Sequence, residues 1–313
     1  MSSPPPLRQL IRGTAPERLH ARRYWLEDPL VAAVQYLLMH LFRWLPIDWA
    51  SDFGAWGSRL SPRRYPASDA RARRAWARLR PEADPTSTDD AMRRIWRSTG
   101  RMTAEIAMLD RIWEEGRITV QGAEHMAAAR AAGRPILVAA VHLGNWDAIW
   151  MAGLRLGYNG ASVAIPMDNR FAERMLAGLR RRYGGRAILA VAASVPAMVR
   201  ELRERGPLVL YMDGLVGDAG QALSLGRDVP PGGNLIYAVR LAKITGAAII
   251  PAYCTRVGDA ARFEVNFLPE VVLPRTERGG VDIEAGARRI DALFDPIVRR
   301  HLDQWFYLLD LDL

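Results

Sequence analysis

From about residue 118 onward, short apolar runs alternate with amphipathic segments, and that alternation limits the fold more than any other feature. PILVAAV (135–141), ASVAI (161–165), RAILAV (186–191), PLVLYM (207–212) and AAIIPAY (247–253) each read as a strand. Between them NWDAIWMAGLRLG, DNRFAERMLAGLRRRYG, SVPAMVRELRERG and NLIYAVRLAKITG read as helices, with Gly157, Gly184 and Ser194 as their punctuation. Repeated strand–helix–strand units predict an α/β fold with a mostly parallel central sheet flanked by helices. RFEVNFLPEVVL (262–273) adds an antiparallel edge strand, and VDIEAGARRIDALFDPIVRRHL a last helix. Residues 214–231 are too glycine-rich for a regular element, and loops of that length commonly serve as lids or binding loops.

Residues 1–115 read as a helical region preceding an α/β domain over 116–313. Asp89 or Asp90 is the expected cap of the helix that holds AMRRIWRSTGRMTAEIAMLDRIW. The segment DPLVAAVQYLLMHLFRWLPIDWA is the most apolar in this half. Its uninterrupted part, Leu30 to Phe42, falls short of the roughly 20 residues that cross a bilayer. Trp44 and Trp49 flank its end, and Arg22 and Arg23 precede it, a pattern that suits a helix lying in a membrane interface over about 28–45. A buried core helix is the competing reading. The first residues, polar, basic and rich in proline, do not read as a signal peptide.

The formal net charge is +9, and nearly all of the positive charge is arginine, Lys243 being the lysine. Such a surface attracts anionic lipid and acidic carrier proteins. No zinc-finger spacing, aromatic-bearing RNA-binding strand or long basic tail is present, so nucleic acid is not an expected partner. The single cysteine, Cys254, excludes a disulfide framework, and the other histidines (His20, His40, His125, His301) lack metal-ligand spacing. Neither a metal nor a cofactor is expected.

HLGNWD places His142 at the exit of a strand and Asp147 five residues on. On a continuous helix five residues turn through about 500°, which would separate the two side chains. In a strand–turn–helix the turn at Gly144 and Asn145 brings Asp147 back toward the imidazole. Ligands of open parallel sheets collect beyond the carboxyl ends of strands, where His142 and Asp213 both fall. No Gly-x-Ser-x-Gly elbow is present, and Cys254 has no evident base beside it, so a covalent acyl-enzyme is not expected. What remains is His142 as general base, oriented by Asp147, with the backbone N–H groups of Gly144 and Asn145 as oxyanion donors.

HLGNWD resembles the first block of the bacterial lipid A biosynthesis acyltransferases, a branch of the lysophospholipid acyltransferase superfamily marked by His-x₄-Asp/Glu. IPMDNRFAERMLAGLRRRYG is similar to the second block, GPLVLYMDGLVGD to the third and LAKITGAAIIPAY to the fourth, and the closing DPIVRRHLDQWFYLLDL is similar to that branch's ending. The resemblance implies transfer of a fatty acyl chain, from a thioester on acyl carrier protein or coenzyme A, to a hydroxyl of an amphiphilic lipid or glycolipid acceptor. It implies that Arg170 binds a phosphate or hydroxyl of a substrate and that Asp213 holds the acidic position of block three. It also implies a peripheral or monotopic place on the cytoplasmic face of the bacterial inner membrane, with the Arg180–Arg182 run available to an anionic surface. Met212-Asp213-Gly214-Leu215-Val216 stands where the glycerolipid branch has Pro-Glu-Gly-Thr-Arg, which argues against glycerol phosphate acceptors. A non-catalytic lipid-binding protein and a thioesterase using the same dyad are the alternatives.

Overall fold

A computed structural model describes residues 4–167, 169–190, 192–214, 223–228 and 232–310. Most of the glycine-rich 214–231 stretch, expected to form a binding loop, lies outside the described residues. Seven strands form one sheet: β1 (Ile118–Gln121), β2 (Ile136–Ala140), β3 (Ala161–Ala164), β4 (Arg186–Leu189), β5 (Leu208–Tyr211), β6 (Ala248–Arg256) and β7 (Phe263–Phe267). Their order is β1-β7-β6-β2-β5-β3-β4, and every pairing is parallel except β6 with β7. The antiparallel β7 does not take the expected edge position; β1 covers it and forms the edge itself.

Strand β2 is buried along its whole length, as a central strand covered on both faces must be. The two-residue period divides its side chains. Leu137, Ala139 and Val141 join one hydrophobic cluster, and Ile136, Val138 and Ala140 join the other. Strand β5 divides in the same way, Leu208 and Leu210 facing the first cluster and Val209 and Tyr211 the second.

The helices before residue 115 share these two clusters with the sheet. Pro66–Leu79 supplies Ala72, Ala75, Trp76 and Leu79 to the first, and Asp28–Trp44 supplies Met39 and Phe42 to the second. Pro85–Glu105 serves both, with Ile95 and Trp96 on one side and Ala104 on the other. It therefore crosses over the sheet from face to face. Its cap is Asp84, whose carboxylate accepts from the Thr86 and Ser87 N–H groups, while Pro85 occupies the first turn. The expected caps, Asp89 and Asp90, lie inside the helix, because the helix begins at the proline.

Helix Ile47–Gly57 packs closely on Pro85–Glu105. A Cβ at Gly54 would lie 2.3 Å from the Gly100 carbonyl oxygen, and one at Gly100 would lie 2.3 Å from that of Gly54. Only glycine at both positions permits this approach. No helix among the described residues is long and apolar enough to cross a membrane.

Candidate active site

Register brings the site together. Ala140 of β2 pairs with Tyr211 of β5, so two residues further along both chains His142 lies beside Asp213. The Asp213 side chain is fully buried and receives three hydrogen bonds. The His142 ring donates from Nδ1 to Oδ1 at 2.8 Å; the His142 backbone N–H and the Trp305 indole N–H each donate to Oδ2, also at 2.8 Å. A buried carboxylate accepting from two other N–H groups requires the proton at Nδ1, which leaves the lone pair on Nε2. Nε2 has no partner among the described residues and is not one of the buried atoms sealed from solvent.

Three aromatic rings wall the imidazole. Tyr211 lies 4.1 Å away between centroids and is tilted by 31°, while Trp146 at 4.8 Å and Tyr307 at 4.9 Å meet it edge-on. Rings in such positions restrict rotation of the imidazole.

The expected contact between His142 and Asp147 is not the one formed. Neither a hydrogen bond nor an ion pair joins them, and the Nδ1 position belongs to Asp213. Asp147 starts the helix Asp147–Arg155, where its buried carboxyl accepts no hydrogen bond from the described residues. Burial raises its pKa above the ordinary aspartate range, against the lowering pull of Arg180 and then of His142. The two groups therefore interact through space. Burial, reinforced by the Asp147 charge, also holds the Tyr211 phenol well above its ordinary value.

The intervening turn is fastened from below. Gly144 adopts φ +57°, and a Cβ there would lie 2.9 Å from the Cys254 carbonyl oxygen, so glycine is required. Its N–H donates to the Gln304 carbonyl at 3.1 Å. The Asn145 N–H is turned to the Cys254 thiol, which burial pushes up to about 12. Of the two N–H groups expected to stabilise an oxyanion, that of Gly144 is thus engaged inside the protein. The N–H groups of Trp146 and Asp147, at the start of the following helix, find no acceptor among the described residues.

Glu105, which sequence reasoning missed, holds this turn. Fully buried, it accepts from both terminal nitrogens of Arg256 at 2.7 Å, from the Ser51 hydroxyl at 2.6 Å and from the Asn145 side chain at 3.2 Å. A glutamate between Ala104 and Ile106, on the apolar side of a helix, was the available signal. Gln304 adds a second fastening, its amide bonding the N–H and the C=O of Arg256.

Arg170 lies elsewhere. Its guanidinium donates to the Tyr24 carbonyl at 2.9 Å, stands 3.8 Å from the Asp28 carboxylate, and is sandwiched by the Tyr24 and Phe171 rings. Together with the Asn169 amide on the Asp28 carbonyl, it ties helix Arg170–Arg182 to the N-terminal helices. No contact joins it to His142.

An imidazole with Nε2 unpartnered among the described residues, pinned through Nδ1 by a buried carboxylate at the carboxyl edge of a parallel sheet, has the arrangement that general-base chemistry requires. The family model for bacterial lipid A biosynthesis acyltransferase matches residues 13–311, and the chain belongs to that family. Membership makes it an acyltransferase, with an acyl donor and a lipid acceptor. A search of curated proteins finds no significant match.

Proposed function

We propose that the protein is a membrane-associated O-acyltransferase that moves a fatty acyl chain from a thioester, on acyl carrier protein or coenzyme A, to a hydroxyl of a lipid or glycolipid. The observation that carries this reading is the hydrogen bond from His142 Nδ1 to Asp213, because it leaves Nε2 free to take a proton. Nε2 removes the acceptor's hydroxyl proton as the oxygen attacks the thioester carbonyl. The C–S bond of the tetrahedral intermediate then breaks, and the proton passes from the imidazolium to the departing thiolate. Asp213 fixes the tautomer and balances the imidazolium, and Asp147, close enough for its charge to act on His142, adds to that field. The unpartnered N–H groups of Trp146 and Asp147 are oriented at a helix start, where an oxyanion is favoured.

Support for the membrane comes from helix Asp28–Trp44. Leu30, Val34, Leu37, Leu41 and Trp44 form a stripe at helical spacing and all are exposed, Trp44 at 88%. Trp49, Phe53 and Trp56 of the next helix are exposed as well. An apolar surface of this extent, with tryptophan along it, suits the head-group region of a bilayer. The cytoplasmic face, where thioester donors are made, is the corresponding location.

The test is acyl transfer from a labelled acyl thioester to lipid acceptors by the full chain in mixed micelles. Wild type should yield acylated lipid, and His142→Ala should lower turnover by at least about 10³-fold. Equal turnover by that variant, or release of free fatty acid alone, would overturn the assignment.

A further inference from the structure

A second cavity of about 400 Å³ opens beside the catalytic turn, bounded by Arg94, Arg97, Ser98, Arg101, Arg256 and Gln304, with Asp259 and Asp303 at its margin. We propose that it is an anion subsite for a phosphate or pyrophosphate group carried by a substrate. The source of that group rests on the acyltransferase reading; the binding itself does not.

Four guanidinium groups converge here, and only two carboxylates line the same space. The partners of the inner pair are not among the lining residues, Arg101 meeting Asp52 at 2.6 Å and Arg256 meeting Glu105 at 2.7 Å. These pairings immobilise the two buried guanidiniums as fixed walls. The outer pair is held loosely. Arg97 stands 3.5 Å from Asp259, whose side chain is 81% exposed, and Arg94 meets Asp303 at 2.8 Å. Exposed pairs of this kind contribute little to stability, so a multivalent anion can displace them. Arginine forks match phosphate oxygens two at a time, and the Ser98 hydroxyl and Gln304 amide supply neutral donors beside them.

Position gives the subsite its use. Ser98 and Gln304 also line the crevice formed by Gly144, Trp146 and Phe306, so the cavity borders the turn that carries His142. Gln304 contacts both sides, its carbonyl accepting from Gly144 and its side chain bracketing the Arg256 backbone. A phosphate seated here would be anchored beside the reacting hydroxyl or thioester. The phosphorylated head group of an acceptor and the phosphopantetheine of a donor share this chemistry.

The experiment titrates the full chain with inorganic pyrophosphate by calorimetry. Saturable binding is expected. It should weaken by about tenfold or more in each of Arg94→Gln and Arg97→Gln, tighten a few-fold in Asp259→Asn, and stay unchanged in the surface double variant Arg288→Gln/Arg289→Gln. Absence of saturable binding, or equal loss in the surface variant, overturns the subsite even if acyl transfer is confirmed. A turnover arm compares acyl carrier protein and coenzyme A thioesters with an acyl thioester of N-acetylcysteamine, which has no phosphate. If Arg97→Gln raises KM for the phosphorylated donors alone, the group is the donor's; if it raises KM for a phosphorylated acceptor, the group is the acceptor's. No change in any KM overturns the substrate role.

Discussion

The exit of β5 and the start of helix Asp147–Arg155 each present a buried aspartate to the same imidazole, and the two regions treat their carboxyl groups in opposite ways. At the β5 exit Asp213 collects three hydrogen bonds. At the helix start Asp147 has none from the described residues, and burial favours its protonated form. A carboxylate so fully bonded sets geometry; a carboxyl group with nothing bound to it acts on the imidazole only through space, and only as far as it ionises. Proximity in sequence pointed to the second, and the sheet assigns the hydrogen bond to the first.

Substitutions at the two positions test that contrast most directly. Asp213→Asn should lower kcat by about 10³–10⁴-fold, because an amide in its place permits the wrong histidine tautomer. Asp147→Asn should cost less, about 10–100-fold, since it removes a charge and no bond. If Asp147→Asn proves the more damaging, the two carboxyl groups do not divide their roles in this way.

Removing the support beneath the turn comes next. Glu105→Ala leaves the buried Arg256 without its partner and should cost about 3–5 kcal/mol of stability in denaturant unfolding. Trp305→Phe deletes one of the three donors to Asp213 and should cost about fivefold to tenfold in kcat with KM unchanged.

The smallest effect concerns pH. A carboxyl whose folded pKa lies above its unfolded value loses stability as pH rises through that interval, and the penalty persists above it. Wild type should therefore fall behind Asp147→Asn in melting temperature as pH climbs from the unfolded aspartate pKa toward neutrality, the variant being the more stable at neutral pH. A pH-independent difference would show that Asp147 ionises as freely in the fold as out of it.

Much of the fold is legible in the sequence, and the misreadings around His142 share one cause. Short continuous apolar runs identify the strands, and both His142 and Asp213 fall at strand exits. Which strand exits adjoin depends on sheet order, and β2 beside β5 is a contact across 71 residues that no local spacing encodes. Local spacing therefore pairs His142 with Asp147, its near neighbour in the chain. For the same reason it gives no view of Gln304, the distant residue whose carbonyl accepts from the Gly144 N–H. Glu105 is invisible because a single acid in a helix ordinarily faces water.

Ser51 shares an eleven-residue helix with Trp49, Phe53 and Trp56, and its hydroxyl bonds Glu105, the residue that also grips Asn145. The exposed aromatic face and the support of the His142 turn are thus two sides of one short rod. A truncation that deletes the apolar leading segments to improve solubility would take Ser51 with them and loosen the turn that follows His142. Solubility is better sought by recolouring the outer side chains than by cutting the chain.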